Sequence, residues 1–446
     1  MDGAWVNDEN AVLAADLYEL TMLQAYFDLG MNGASVFDLF VRRLPPTRNY
    51  LVACGLDDAL HYLETVHFSS DALLYLKSLG RFSDAFLESL RSFRFTGDAY
   101  AVPEGTLVFA NEPLIEVVAP IPQAQLIETF LMNTFHCQTL AASKAARVVT
   151  AAAGRTVVDF GLRRMQGLDS GLKFARGFYV AGVDATSNTL AGSAYGIPVA
   201  GTMAHSFIQA HGDEMDAFRR FLMSYPDTIL LVDTYDTLRG VDHVVELARE
   251  LGKDFRVRGI RLDSGDLTVL SREARRILDA AGLQKVEIFA SGSLDEYTIR
   301  DLVGAGSPIN GFGVGAKMAV SADAPYLDNA YKLVEYDGHP RMKFSADKVT
   351  MPGRKQIFRR NDHDVIGLHD EKLGGEPLLV KVMEGGQRTA AGRGTLQSAR
   401  ERTHANLQKL PADLLQLDPA QRPYAVEISA SLRALIEHER LRMQAR

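Results

Sequence analysis

The chain has 446 residues, 47% hydrophobic and 23% charged, with a formal net charge of -8. That length exceeds what one hydrophobic core usually serves, and the composition is that of a folded chain, so a central domain with smaller companions is expected. The negative balance excludes general nucleic-acid affinity, so an anionic substrate has to be caught by a local cluster of positive groups.

Met1–Asp8 is acidic and poor in apolar residues, unlike a signal peptide, and no apolar run approaches the roughly 20 residues that cross a bilayer. No membrane partner and a cytoplasmic location are therefore expected. Leu13–Leu29 and Ser69–Leu90 repeat apolar residues at helical spacing, with sheet-like Ala34–Arg42 between them. Asp98–Phe109 and Pro113–Val118 are short β-rich runs broken by Pro103, Gly105, Asn111 and Pro113. Residues 1–122 thus read as a mixed α+β N-terminal module. Cys54 and Cys137, far apart in apolar surroundings, are expected to be buried, reduced thiols.

After Pro122 the rhythm changes. Gln123–Gly154 is a long helical stretch, followed by strand-like runs at Thr156–Asp159, Pro198–Gly201, Thr228–Val232, Gly259–Leu262, Val286–Ala290 and Gly311–Val314. Several lead through polar, glycine-containing sequence into helices such as Ser271–Ala281 and Asp295–Gly304. Serial βα units with a parallel sheet are predicted over residues 123–337. A barrel is preferred over an open doubly wound sheet because no G-x-G-x-x-G follows the first strand. Residues 338–446, with the basic Lys343–Arg360 and the amphipathic Ala425–Met443, read as a small C-terminal module.

The chemistry-bearing residues cluster at strand ends. Phe160 and Gly161 with Arg163 and Arg164 suit a planar anion, because an aromatic ring stacks on another and arginine pairs with carboxylate or phosphate. His205, within Gly201–Ser206, has small residues and the hydroxyls of Thr202 and Ser206 around it, and a neutral imidazole nitrogen there is a competent nucleophile. Asp233, at the tip of the next strand, could fix the imidazole tautomer, while Asp236 reads equally well as a helix cap. Arg261, Asp263, Ser264 and Asp266 surround Gly265 and could hold a Mg²⁺-pyrophosphate, with Asp263 reaching the metal through water. Ser291 and Gly292, then Gly313, Gly315 and Ala316, offer backbone N–H groups to a phosphate after the last two strands. Together these residues call for a ligand with a phosphate, a metal-bound pyrophosphate and a flat anionic partner.

Five stretches carry a resemblance: Asp16–Met22, Gly161–Gly167, Pro198–Ser206, Arg261–Asp266 and Pro340–Lys343. In this combination and order the chain resembles the nicotinate phosphoribosyltransferases, and more distantly the nicotinamide phosphoribosyltransferases. The resemblance implies an irregular (β/α) barrel of the type II phosphoribosyltransferase kind, flanked by smaller modules, in a homodimer with the active site at the interface. It implies joining of nicotinate to 5-phosphoribosyl 1-pyrophosphate (PRPP), with ATP as co-substrate and Mg²⁺ as cofactor. By the same resemblance His205 matches the phosphorylated histidine and Asp233 its carboxylate partner. Tyr18 would come from the neighbouring subunit to stack on the nicotinate ring opposite Phe160. Thr202 and Arg261 match substrate-binding residues, and Arg163 lies near the ring carboxylate and pyrophosphate. Asn188 stands where the nicotinamide enzymes have an aspartate, and a neutral residue there favours the acid. Ala316 replaces a threonine of some relatives but keeps the backbone N–H. The rival readings are a nicotinamide-preferring enzyme and a non-catalytic PRPP-binding barrel.

Overall fold

The computed structural model describes residues 5–344 and 350–445. Residues 1–4 of the acidic N-terminal stretch and 345–349 of the basic stretch lie outside the described residues. The chain divides into two compact units, one built from residues 1–140 and 326–446, the other from 141–325.

In the first unit an antiparallel sheet runs in the order His339–Pro340, Asn329–Tyr336, Ala34–Val41, Pro113–Pro120, Asp98–Ala101, Val380–Glu384 and Gln387–Arg388. Strands from both chain ends share this sheet, so the segments expected as N-terminal and C-terminal modules build one core. Ser69–Leu90 forms two helices, Ser70–Ser78 and Asp84–Leu90, because the chain turns through a left-handed Gly80 at φ 64°. The stretch read as amphipathic, Ala425–Met443, begins as the strand Ala425–Ile428, which pairs in parallel with His363–Leu368. The helix Ala430–Gln444 starts only where the Ser429 side chain caps it, accepting from the Leu432 amide. Cys54 is buried and Cys137 half-buried, and both are free of disulfides.

The second unit is the predicted βα series. Its strands are β1 (Thr156–Asp159), β2 (Ala185–Thr186), β3 (Ile229–Leu231), β4 (Gly259–Leu262), β5 (Glu287–Ala290) and β6 (Gly311–Val314). They lie in the order β2-β1-β6-β5-β4-β3, all parallel, as a half-barrel. Val157, Ile260, Leu262, Ile288 and Phe312 are buried, as expected of strands covered on both faces. Pro198–Gly201, expected as a strand, makes a single bridge between Val199 and Thr186; Pro198 has no N–H to donate and Gly201 is exposed. β3, β4 and β5 each lead into a helix capped by an aspartate: Asp236 for Thr237–Leu251, Asp266 for Leu267–Ala280, and Asp295 for Glu296–Gly304. All the candidate residues except Tyr18 lie in this unit, most of them on or just beyond the strands, with Thr202 and His205 on the segment that follows the Val199 bridge.

Candidate active site

Arg261 points from β4 toward two groups named above: its guanidinium donates to the Thr202 hydroxyl and lies 5.9 Å from the Phe160 ring centroid. Burial holds its pKa below the usual arginine value, against the pull of Asp263 and Asp233. The guanidinium stays charged, and its buried Nε has no hydrogen-bond partner among the described residues. A charged, partly desolvated donor of this kind suits a carboxylate or phosphate oxygen.

Phe160 leaves β1 at a cramped point. A Cβ on Gly313 of β6 would come within 2.4 Å of the Phe160 ring, so Gly313 is glycine because the ring lies over it. Phe289 stands 6.3 Å from Phe160, tilted by 48°, and joins Val158 and Ala185 in the apolar cluster behind it. A cavity of about 530 Å³ opens along this wall, lined by Phe160, Thr202, Phe289 and Gly311 among others.

Asp233 and Asp263 are joined without facing one another. Asp233 Oδ2 accepts from the Asp263 amide at 2.8 Å and from the Ser264 hydroxyl at 2.7 Å, while its buried Oδ1 has no donor among the described residues. Asp263 in turn accepts from the buried Ser291 hydroxyl. Gly292 is left-handed at φ 87°, and a Cβ there would fall 1.8 Å from the Asp263 carbonyl oxygen. Ser293 follows at φ 52°, so two successive left-handed residues turn the backbone after β5.

His205 opens the short helix His205–Gln209. Its Nδ1 lies 3.1 Å from the Thr234 hydroxyl, and its Nε2 lies 3.9 Å from Asp263 Oδ2. Among the described residues Asp233 makes no bond to the imidazole; the neighbouring Thr234 does. Sequence reasoning passed over Thr234, whose only signal was its place after a strand-end carboxylate.

The remaining candidates are spread more widely. Arg163 is exposed on a short 3-10 turn, close enough to Arg261 to influence its charge. Asn188 is buried: its Oδ1 caps Thr189–Tyr195 and its Nδ2 donates to the Gly171 carbonyl at 3.3 Å, so its polar atoms are occupied. Gly315 is not left-handed and a Cβ there would meet only ordinary contact, while Ala316 is exposed at the start of Ala316–Ala319. Tyr18 belongs to the first unit, on the helix Leu17–Asp28 and 45% exposed; burial, then the Glu128 carboxylate, raises its pKa. A buried network was invisible in sequence: Lys144 reaches Glu296 at 2.5 Å and Asp323 at 2.7 Å, and Arg147 reaches Glu296 at 3.0 Å. It holds the N-terminus of Glu296–Gly304 against the helix Glu128–Ala152.

The fold is that of the α/β half-barrel class, with Arg261, Phe160 and Thr202 brought together beside the parallel sheet. The model described as the nicotinate phosphoribosyltransferase N-terminal domain matches residues 13–136, and that of the nicotinate phosphoribosyltransferase family matches residues 156–361. The chain belongs to the nicotinate phosphoribosyltransferase family. It is 54% identical to a Mycobacterium tuberculosis nicotinate phosphoribosyltransferase, pncB2, across 94% of this chain and 91% of that one. It is 41% identical to the Bacillus subtilis nicotinate phosphoribosyltransferase, across 83% and 79%. The crystal structure of human nicotinic acid phosphoribosyltransferase superposes with a TM-score of 0.85 at 29% identity, covering 95% of this chain and 99% of that one.

Proposed function

We propose that this chain converts nicotinate and PRPP to nicotinate mononucleotide and pyrophosphate, the entry of nicotinate into NAD synthesis, with ATP hydrolysis coupled through phosphorylated His205. The observation that carries the reading is Arg261, pinned by Thr202 over the Phe160 ring with one buried donor unmatched. The pyridine ring stacks on Phe160, and Arg163 and Arg261 meet the ring carboxylate and the pyrophosphate. The pyridine nitrogen forms a bond to the anomeric carbon as the bond to pyrophosphate breaks, and Arg261 stabilises the departing charge. The ribose 5-phosphate is received by the backbone just beyond β5 and β6, around Ser291, Gly292, Gly315 and Ala316.

Thr234 supports the choice of nucleophile. With a proton on Nδ1 donated to the Thr234 hydroxyl, Nε2 keeps its lone pair and takes the γ-phosphoryl group of ATP, releasing ADP. Hydrolysis of that phosphohistidine to phosphate then drives the transfer forward.

The carboxylates fit Mg²⁺ only as an ion that keeps most of its water. Among the described residues no three acidic, histidine or cysteine side chains gather as a complete cage, yet Asp233 Oδ1 lacks a donor and Asp263 Oδ2 makes no close pairing. Asp263, through water, and Asp233 would hold Mg²⁺ against substrate pyrophosphate oxygens, where it supplies charge neutralisation.

A homodimer in which Tyr18 of one subunit completes the nicotinate site of the other accords with the exposure of that ring. Among the described residues no helix is long and apolar enough to cross a membrane, in keeping with a cytoplasmic enzyme. Incubation with PRPP, Mg²⁺ and ATP and either nicotinate or nicotinamide tests the proposal. Nicotinate mononucleotide as the dominant product supports it, whereas preference for the amide, or no product, overturns it.

A further inference from the structure

A second cavity, of about 840 Å³, is built wholly from the first unit and takes no part in the chemistry above. Its volume falls within the roughly 300–1,000 Å³ typical of small-molecule sites. Apolar side chains from two sheets line it, including Phe40, Val334, Ile366 and Ile428. Phe109 and Tyr424, stacked at 3.9 Å with 10° between their planes, add an aromatic edge.

Among these walls Asp38 is only 1% exposed. Its Oδ2 forms an ion pair with Lys355 Nζ at 2.7 Å, and that ammonium donates its hydrogen bonds to the Met351 carbonyl at 2.9 Å and the Gly353 carbonyl at 2.5 Å. The ammonium neutralises Asp38 as an ion pair, yet among the described residues neither Asp38 Oδ1 nor Oδ2 accepts a hydrogen bond. An unsatisfied buried acceptor is destabilising, more so when charged, and a ligand donor would relieve that cost. Burial accordingly raises the Asp38 pKa to about 7, against the pull of Lys355.

Three arginines of one loop also line the cavity. Arg42 pairs with Asp328 at 3.0 Å and Arg48 is buried, while Arg43 is exposed. An apolar chamber with a buried carboxylate that accepts no hydrogen bond and an exposed guanidinium has two polar demands of opposite sign.

We infer that this cavity binds a small aromatic anion, its ring packed on the apolar walls, a ring or exocyclic N–H donated to Asp38, and its carboxylate or phosphate paired with Arg43. Indole carboxylates and adenine nucleotides share that chemistry. The test is calorimetric titration of the full chain, with nicotinate saturating, using indole-3-acetate and, separately, adenosine monophosphate. At least one is expected to bind at millimolar concentration or below, and the arm that responds identifies the source. Its N-methylated counterpart, 1-methylindole-3-acetate or N6,N6-dimethyladenosine monophosphate, should bind about tenfold more weakly or worse, the loss of one hydrogen bond to a charged group. Arg43→Glu should cost a similar factor, and Ala420→Trp, which fills the chamber from a loop, should abolish binding while leaving nicotinate turnover unchanged. The inference is overturned if neither anion binds, if the methylated forms bind equally well, or if folded Ala420→Trp protein binds as the wild type does.

Discussion

Thr234 holds the imidazole on which the proposed phosphoryl step depends. Its hydroxyl is the hydrogen-bond partner of His205 Nδ1, and a threonine can donate or accept, so it holds the ring in either protonation state. Thr234→Val keeps the shape and deletes the bond. Steady-state kinetics should show a fall in ATP-coupled kcat of about five- to tenfold, the worth of roughly 1 kcal/mol, with KM for PRPP little changed. Thr234→Ser should restore most of the rate, and an unchanged kcat in the valine variant would remove Thr234 from the account. Sequence patterning brought His205, Arg261 and Asp263 to notice because charged residues at strand ends have no ordinary role in a core. It missed Thr234, which has no such peculiarity, and it assigned Asp233 to the imidazole when Asp233 instead holds the Asp263 amide and the Ser264 hydroxyl. That link crosses from one strand end to the next, and its register depends on how the strands are laid side by side.

At the scale of elements, β6 shows how a strand can serve the site through what it lacks. Gly311 and Gly313 sit on the strand face occupied by Phe289 and Phe160, whose ring atoms lie 2.5 Å and 2.4 Å from where a Cβ would be. Gly313→Ala therefore has to displace the Phe160 ring or bend β6, and overpacking of this kind typically costs about 1–3 kcal/mol. Because the ring is the proposed stacking surface, KM for nicotinate should rise while KM for PRPP rises less. Equal KM values in variant and wild type would show that Phe160 does not define the nicotinate site. The sequence presented Gly313 as part of a phosphate-binding turn, since a glycine in a Gly-x-Gly run looks the same whether it makes room for a ligand or for a neighbouring ring. Strands with β-branched and leucine residues, such as β1 and β4, were legible from composition. The two-residue β2 was too short to leave a pattern, and Pro198–Gly201 looked like a strand although its proline has no N–H to donate.

Over the whole molecule, segments separated by more than 200 residues complete one antiparallel sheet: Ala34–Val41 pairs with Asn329–Tyr336 along its length. Local patterning cannot reveal such a partnership, which is why Asn329–Tyr336 read as part of the 123–337 series and residues 1–122 and 338–446 as separate modules. The same unit buries carboxylates that sequence gave no reason to single out. Glu19 is fully buried, accepts from the Thr129 amide and hydroxyl, and titrates at about 7, pushed up chiefly by burial. The folded state thus binds this proton more tightly than the unfolded chain. Its contribution to stability is fully present below the ordinary glutamate range and is lost as pH rises through about 7. Asp38 acts in the same sense. Glu19→Gln should therefore flatten the decline in thermal stability between mildly acidic and mildly alkaline pH, with the largest gain over wild type on the alkaline side. Parallel melting curves for the two proteins would contradict that assignment.

The most direct test of the central claim is transfer of label from [γ-³²P]ATP to the protein, read together with nicotinate mononucleotide formation. The account predicts an acid-labile, alkali-stable phosphoryl group on wild-type protein that is discharged when nicotinate and PRPP are added as product appears. It predicts no label, and loss of the ATP stimulation of product formation, in His205→Ala. Undiminished labelling or ATP stimulation in that variant would contradict it.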